Sequence, residues 1–279
     1  MKTPYAILIH SCDAYSDCWD PFFKLMKKHW ADNTAPIYLN TEHLDYSYEG
    51  VPVIPTIAYK QQPKGKNLSW SERVAHGLSM IEEDYVLYLQ EDYFFHSKVR
   101  TDYINHFAQL MQNNSDIDCI HLTLEAVLPE DKPAPYEGLK PVKAKQRYRL
   151  SLQAALWKKS VLMECLRPYE SIWNFEEFGS IRAGILNHNF YVVDENWLSE
   201  NKLDIMPYIF TGITQSKWNK EVIPLFKENQ IEIDYSKRGF IQDSPKKKLS
   251  LRIKNKFRRI PVLIKHKKDI RRIKKSLSN

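Results

Sequence analysis

An α/β fold built on a mostly parallel sheet flanked by helices is what this chain predicts, and two observations carry the prediction. Between residues 5 and 90, short apolar runs alternate with segments of helical period, in the order strand, helix, strand, strand, helix, strand. No internal repeat and no apolar run of bilayer length interrupts that order. Such alternation sets parallel strands side by side with helices on their faces.

Each element has a local reason. Tyr5 to Ser11, "YAILIHS", is a continuous apolar run bounded by turn formers, the mark of a strand buried on both faces. In "DCWDPFFKLMKKHW" the residues Trp19, Phe22, Phe23, Met26 and Trp30 fall at helical spacing, with Pro21 tolerated in the first turn. Ala35 to Thr41 is a second strand, and the prolines of "VPVIPT" place a third at a sheet edge. Ser69 and Glu72 form a capping box ahead of a helix reaching Asp84, which feeds the strand Tyr85 to Leu89. "TDYINHFAQLMQN" reads as a helix and Cys119 to Leu124 as a strand. Residues 128 to 146 hold four prolines and read as a long surface loop, either a lid or flexible filler. An alternating strand then leads into a helix beginning near Lys158, a helix carries Glu176 and Glu177 at its start, and "NFYVVDE" closes as a strand.

The charge is unevenly placed. The whole chain carries +7, but Ser244 to Asn279 alone holds 15 Lys and Arg against one acid, Asp269. The preceding residues therefore sum to −7, which argues against a nucleic-acid-binding face on the main domain, and no nucleic acid is expected as partner. The four cysteines, Cys12, Cys18, Cys119 and Cys165, show no paired or metal-finger spacing, and Cys119 and Cys165 sit among apolar residues as buried thiols do. The apolar run after Pro4 is too short for a signal peptide, so a cytoplasmic body with reduced thiols is expected.

The chemistry concentrates at the strand ends. In open parallel sheets the ligand lies outside the carboxyl ends of the strands, where "HSCDAYSD" (from His10) and "QEDYFF" (from Gln90) both fall. Desolvated carboxylates at Glu91 and Asp92 are costly unless they are paired or hold a cation, although a solvated acidic turn fits the same letters. Neither GxGxxG nor a Walker sequence is present, which argues against dinucleotide or P-loop binding.

This arrangement resembles a GT-A glycosyltransferase, a Rossmann-like fold, and in particular the small bacterial enzymes that build surface polysaccharides, over roughly residues 4 to 235. The resemblance implies a nucleotide-sugar donor held by His10, Ser11, Asp13 and Tyr15, with Asp13 on the base or ribose. It also implies a metal–diphosphate site at Gln90, Glu91 and Asp92, with Asp92 as ligand to Mn²⁺ or Mg²⁺ and Glu91 beside it. The sequence has Gln-Glu-Asp where the family has two aspartates around one residue. In inverting members an acid at a downstream helix start is the base, which falls on Glu177 or Glu176, with Glu177 preferred. Acids there also meet the helix dipole without any catalysis. Phe210 to Ile231 resembles the closing segment of such enzymes, with no role attached.

Further residues are open to two readings. His188 could join a metal site or cap a strand, while His10 and His121 lie in or beside apolar strands and read as packed groups. Trp70, Trp157 and Trp173 could stack on sugars or fill the core. Arg147, Arg149 and Lys158 could meet donor phosphates.

The division expected is a glycosyltransferase-like domain over residues 1–240 and a basic amphipathic tail over 241–279. In the tail Leu249, Ile253, Phe257 and Ile260 are three or four apart, Pro261 breaks or kinks the helix, and Ile270, Ile273 and Leu277 resume the stripe. A basic helix with one apolar face suits an anionic membrane surface, here the inner face of the cytoplasmic membrane, where a glycan or lipid-linked glycan acceptor would be met; a nucleic-acid-binding or a flexible solubilising tail is the other reading of the charge. A nucleotidyltransferase of related fold and a non-catalytic membrane-associated scaffold are the alternatives.

Overall fold

A computed structural model describes residues 3–60, 62–63, 65–133, 135–241 and 249–278, with side chains in the last span from 260 onward. The elements in order are β1 (Tyr5–His10), α1 (Trp19–His29), β2 (Ile37–Thr41), β3 (Val53–Ile57), α2 (Trp70–Ser79), β4 (Tyr85–Gln90) and α3 (Thr101–Asn113). They continue as β5 (Cys119–His121), β6 (Leu139–Pro141), β7 (Ala155–Lys158), α4 (Lys159–Cys165), α5 (Ile172–Asn174), α6 (Ser180–Ile185), β8 (Phe190–Val193) and α7 (Glu195–Glu200). A hairpin of β9 (Ile213–Thr214) and β10 (Lys217–Trp218) precedes α8 (Val222–Glu228) and the long α9 (Leu249–Leu277).

Eight strands form one sheet in the order β3-β2-β1-β4-β7-β5-β8-β6. The first four listed are mutually parallel, β5 and β8 share their direction, and β7 and β6 run against them. All six residues of β1 are buried, as a central strand covered on both faces requires. Phe22, Phe23, Leu25 and Met26 of α1 pack into the same core, and Pro21 sits in the first turn, where its missing N–H costs no helical bond. The capping box is present: Glu72 N donates to Ser69 Oγ (3.1 Å) and Ser69 N to the Glu72 carboxylate (2.8 Å). β3 takes the sheet edge that its prolines predict.

Three expectations are corrected. The proline-rich stretch 128–146 is not loop throughout, because Leu139–Pro141 pairs antiparallel with β8 and closes the far edge of the sheet. Edge strands need only one row of backbone bonds, so Pro141 is tolerated. The strand after α3 ends at His121 rather than Leu124. Pro261 does not break the tail, since α9 runs through it from Leu249 to Leu277.

Nor is the predicted stripe of the tail one free face. Ile273 is buried against the body, whereas Ile260, Leu263, Ile264 and Leu277 are exposed. The side chains of Leu249, Ile253 and Phe257, and residues 242–248 as a whole, lie outside the described residues.

Candidate active site

Strand direction decides which residues meet. The register pairs His10 with Gln90 on one side and with Asn40 on the other, so the turns after β1, β2 and β4 leave the sheet at one edge. β7 runs the other way, and its approach, Ser151–Ala154, therefore arrives at that same edge. His188 precedes β8 and sits at the opposite edge between Asp118 and Glu164, 3.2 Å from each. It cannot join a site built on Asp92. Lys158 ends β7 at that remote edge too, and Arg149 is buried over the Phe190 ring with its guanidinium donating to the His188 carbonyl (2.9 Å). Neither reaches the crevice.

At the carboxyl edge the first strand ends in a packed polar network. Asn40 Nδ2 donates to His10 Nδ1 (2.9 Å) and to the Arg73 carbonyl (2.8 Å), and Thr56 donates to Asn40 Oδ1 (3.1 Å). Burial, with Arg73 nearby, pushes His10 down to about 3, so the imidazole is neutral and accepts. Trp70 meets it edge-on at 5.5 Å. Ser11 Oγ accepts from the indole of Trp19 (2.7 Å).

Asp13 and Glu42 clasp each other's backbones. Asp13 N donates to the Glu42 carboxylate, and the amides of Glu42, His43 and Leu44 donate to that of Asp13, all at 3.1–3.3 Å. Arg73 completes the clasp on Glu42 at 2.7 Å. Asp13 thus fixes the mouth of the crevice with its carboxylate already engaged.

Glu91 and Asp92 are both buried. Burial, then the charge of Asp92, pushes Glu91 well above the usual carboxylate range, while the Ser11 hydroxyl and the Arg238 charge oppose the rise. Burial also raises Asp92, against donors that favour its charged form. Those donors are Thr211 Oγ1 (2.7 Å) and Ile213 N (3.0 Å), both on Oδ2. Gly212 N donates to the Asp92 carbonyl (2.9 Å), and a Cβ on Gly212 would collide with the Phe94 ring, so only glycine fits. The segment seen in sequence without a role is therefore the cover of the acidic pair. Its hairpin turns through Gln215 and Ser216, both at positive φ, and Ser216 reaches the Tyr15 hydroxyl. Arg238 follows, 4.5 Å above the Tyr15 ring and paired with Asp17.

The second acid pair divides. Phe175–Gly179 forms a π turn between α5 and α6, a local widening that recurs at functional sites. Glu176 turns inward: Leu152 N donates to its Oε1 (3.1 Å), its charge is felt by Tyr88 and Tyr93, and burial raises it. Glu177, the residue preferred from sequence, is partly exposed and pairs with Arg147 (3.2 Å). Trp157 is core and Trp173 is 73% exposed. A cavity of about 560 Å³ opens between Thr123 and the Tyr208–Phe210 segment, rimmed by His96, Lys202 and Asp204 and lined by neither Glu91, Asp92 nor Glu176.

Glu91 and Asp92 offer the hard oxygen donors that Mg²⁺ or Mn²⁺ prefers. Among the described residues no three His, Cys, Asp or Glu side chains form a ready-made metal cluster. By its chemistry the pair alone supplies two carboxylates towards such a cation, one of them already engaged by Thr211 and Ile213.

The fold is α/β, a mostly parallel eight-stranded sheet flanked by helices. No family model matches the chain, and no curated protein matches it in sequence. Solved structures do. Residues 1–349 of TarS from S. aureus align at 11% identity over 70% of this chain and 58% of that one, with a TM-score of 0.44. Glucosyl-3-phosphoglycerate synthase from Mycobacterium tuberculosis, in complex with Mn²⁺, UDP-glucose and phosphoglyceric acid, aligns at 7% over 64% of each chain (TM-score 0.39). A UDP-glucose pyrophosphorylase complexed with UDP-glucose aligns at 10% over 70% of this chain and 90% of that one (TM-score 0.42). Glycosyltransferases and nucleotidyltransferases both occur among these neighbours.

Proposed function

We propose that this chain transfers a glycosyl group from a nucleotide-sugar donor to an acceptor hydroxyl with inversion. The observation that carries the reading is the meeting, at one sheet edge, of the β1 turn, the buried pair Glu91–Asp92 and the inward Glu176. The acceptor oxygen attacks the anomeric carbon, and the bond from that carbon to the diphosphate oxygen breaks with its electron pair on the leaving group. The acceptor proton passes to Glu176. Burial raises its affinity for protons, the direction that strengthens a general base, while the Leu152 amide opposes the rise.

Asp92, with Glu91 beside it, would hold a divalent cation, which supplies positive charge to the departing diphosphate. Arg238, whose charge already reaches Glu91, adds to the field there. The cavity beside Phe210 admits the acceptor. The β1 turn holds neither glycine nor a basic residue, which disfavours a nucleoside-triphosphate substrate and hence nucleotidyl transfer.

The tail supports a reading in which the acceptor is a glycan or lipid-linked glycan at an anionic membrane surface. No helix among the described residues is long and apolar enough to cross a membrane. Opposite its docked side, α9 exposes Ile260, Ile264, Lys267 and Arg271 at spacings of one helical face.

The test is a thermal-shift screen of nucleotide sugars with and without Mn²⁺, followed by hydrolysis assays on the best donor. Asp92→Ala should abolish hydrolysis while the fold survives. Unchanged turnover in that variant would remove the assignment of Asp92.

A further inference from the structure

The single acid of α9, Asp269, is turned inward. Asp269 is buried on the inner face of α9 and accepts from Arg167 Nε at 2.8 Å, with Arg182 Nη1 3.8 Å away. Arg182 is fully buried, held bidentate by Glu170 (2.5 and 2.8 Å), and donates to the Cys165 carbonyl. One turn earlier along α9, His266 lies flat on Phe178, with ring centroids 4.1 Å apart and planes 16° from parallel. Ile273 completes the docked face, and residues 266, 269 and 273 share one side of the helix.

Phe178 belongs to the π turn two residues beyond Glu176, and Arg182 lies in the first turn of α6, which follows it. The same turn is tied from within, since Ser180 Oγ donates to the Glu176 carbonyl (2.5 Å) and receives the Leu150 amide (2.9 Å). A π turn is a poorly favoured geometry, and one that persists is held by its surroundings. Here α9 supplies an outer contact.

We propose that the C-terminal helix is a positioning element of the active site: docked through His266 and Asp269, it fixes the turn that aims Glu176 into the crevice. His266 and Asp269 are positioning residues and touch no substrate. The inference rests on the transfer reading, in which Glu176 is the base. It also joins the basic helix, through Phe178, to the turn that carries Glu176, so the segment is more than a tether.

The experiment uses the full chain with His266→Ala, His266→Phe and Asp269→Asn, and has two readouts. Hydrogen exchange at the amides of Phe175–Gly179 should speed up in His266→Ala and Asp269→Asn, while the amides of Gly212 and Ile213 stay as in the wild type. Steady-state turnover of the donor found by the screen should lose about ten- to a hundredfold in kcat with KM unchanged, the signature of a misaimed group. His266→Phe keeps the ring stack and should restore both. Unchanged exchange at the turn in the two loosening variants overturns the clamp. Faster exchange with unchanged kcat overturns the positioning role. If the wild type turns over no nucleotide sugar, the transfer reading fails by itself, and exchange alone decides whether α9 holds the turn.

Discussion

The hydroxyl of Thr211 donates to the carboxylate of Asp92 over 2.7 Å, joining residues 119 positions apart in the chain. With the Ile213 amide on the same oxygen, it turns a buried carboxylate at a strand end into the anchor of the segment that covers it. Burying that carboxylate is tolerable because two donors meet it.

Thr211→Val keeps the shape and removes the donor. Asp92 then loses one of its two bonds on Oδ2, and the ligand-free protein should be destabilised by about 1–2 kcal/mol, read by urea denaturation. Donor hydrolysis should fall less than in Asp92→Ala, because the carboxylate itself remains. Equal losses in the two variants would show that Asp92 acts only as an anchor.

Glu91 gives a pH prediction of definite sign. Its folded proton affinity lies above that of the unfolded chain, so the folded state binds the extra proton between the two values. Its contribution is fully present below the unfolded carboxylate range, about 4.3, and is lost as pH rises through the folded value. Glu91→Gln removes this loss. Its Tm should exceed that of the wild type at pH 8 by roughly 2–4 °C for each kcal/mol relieved, and the gap should narrow towards pH 5. A gap that widens on acidification would contradict the assigned sign.

The divided acid pair separates base from bystander. Glu176→Gln should cost about 10²–10⁴ in kcat for glycosyl transfer, whereas Glu177→Gln, which loses an exposed contact with Arg147, should stay within about threefold of wild type. The reverse ranking would restore Glu177, the residue the sequence favours.

The outward face of α9 is tested on vesicles. Lys267→Gln with Arg271→Gln removes two cations worth about 1 kcal/mol each near an anionic surface, so partitioning onto phosphatidylserine-containing vesicles should fall roughly thirtyfold. Turnover on a soluble acceptor should be unaffected, since both residues point away from the docked side. Unaltered sedimentation with the vesicles would exclude this face as the anchor.

Much of this was legible in the residues alone. Continuous apolar runs and helical periods determined the alternating α/β order, the capping box at Ser69 and the edge position of Val53–Ile57, because those signals are local. Strand order then made "HSCDAYSD" and "QEDYFF" neighbours, as parallel connectivity requires. Other features needed the folded chain. Which of Glu176 and Glu177 faces inward depends on the π turn, where the ordinary rotation of about 100° per residue no longer holds. That His188 belongs to the wrong edge follows from the direction of β8, and that Thr211, Gly212 and Arg238 cover the acids follows from contacts across more than a hundred residues. The tail reads in sequence as one amphipathic stripe, yet Asp269 and His266 turn a side of it into a docking face. Period and propensity describe which faces a helix has; only packing decides what each face meets.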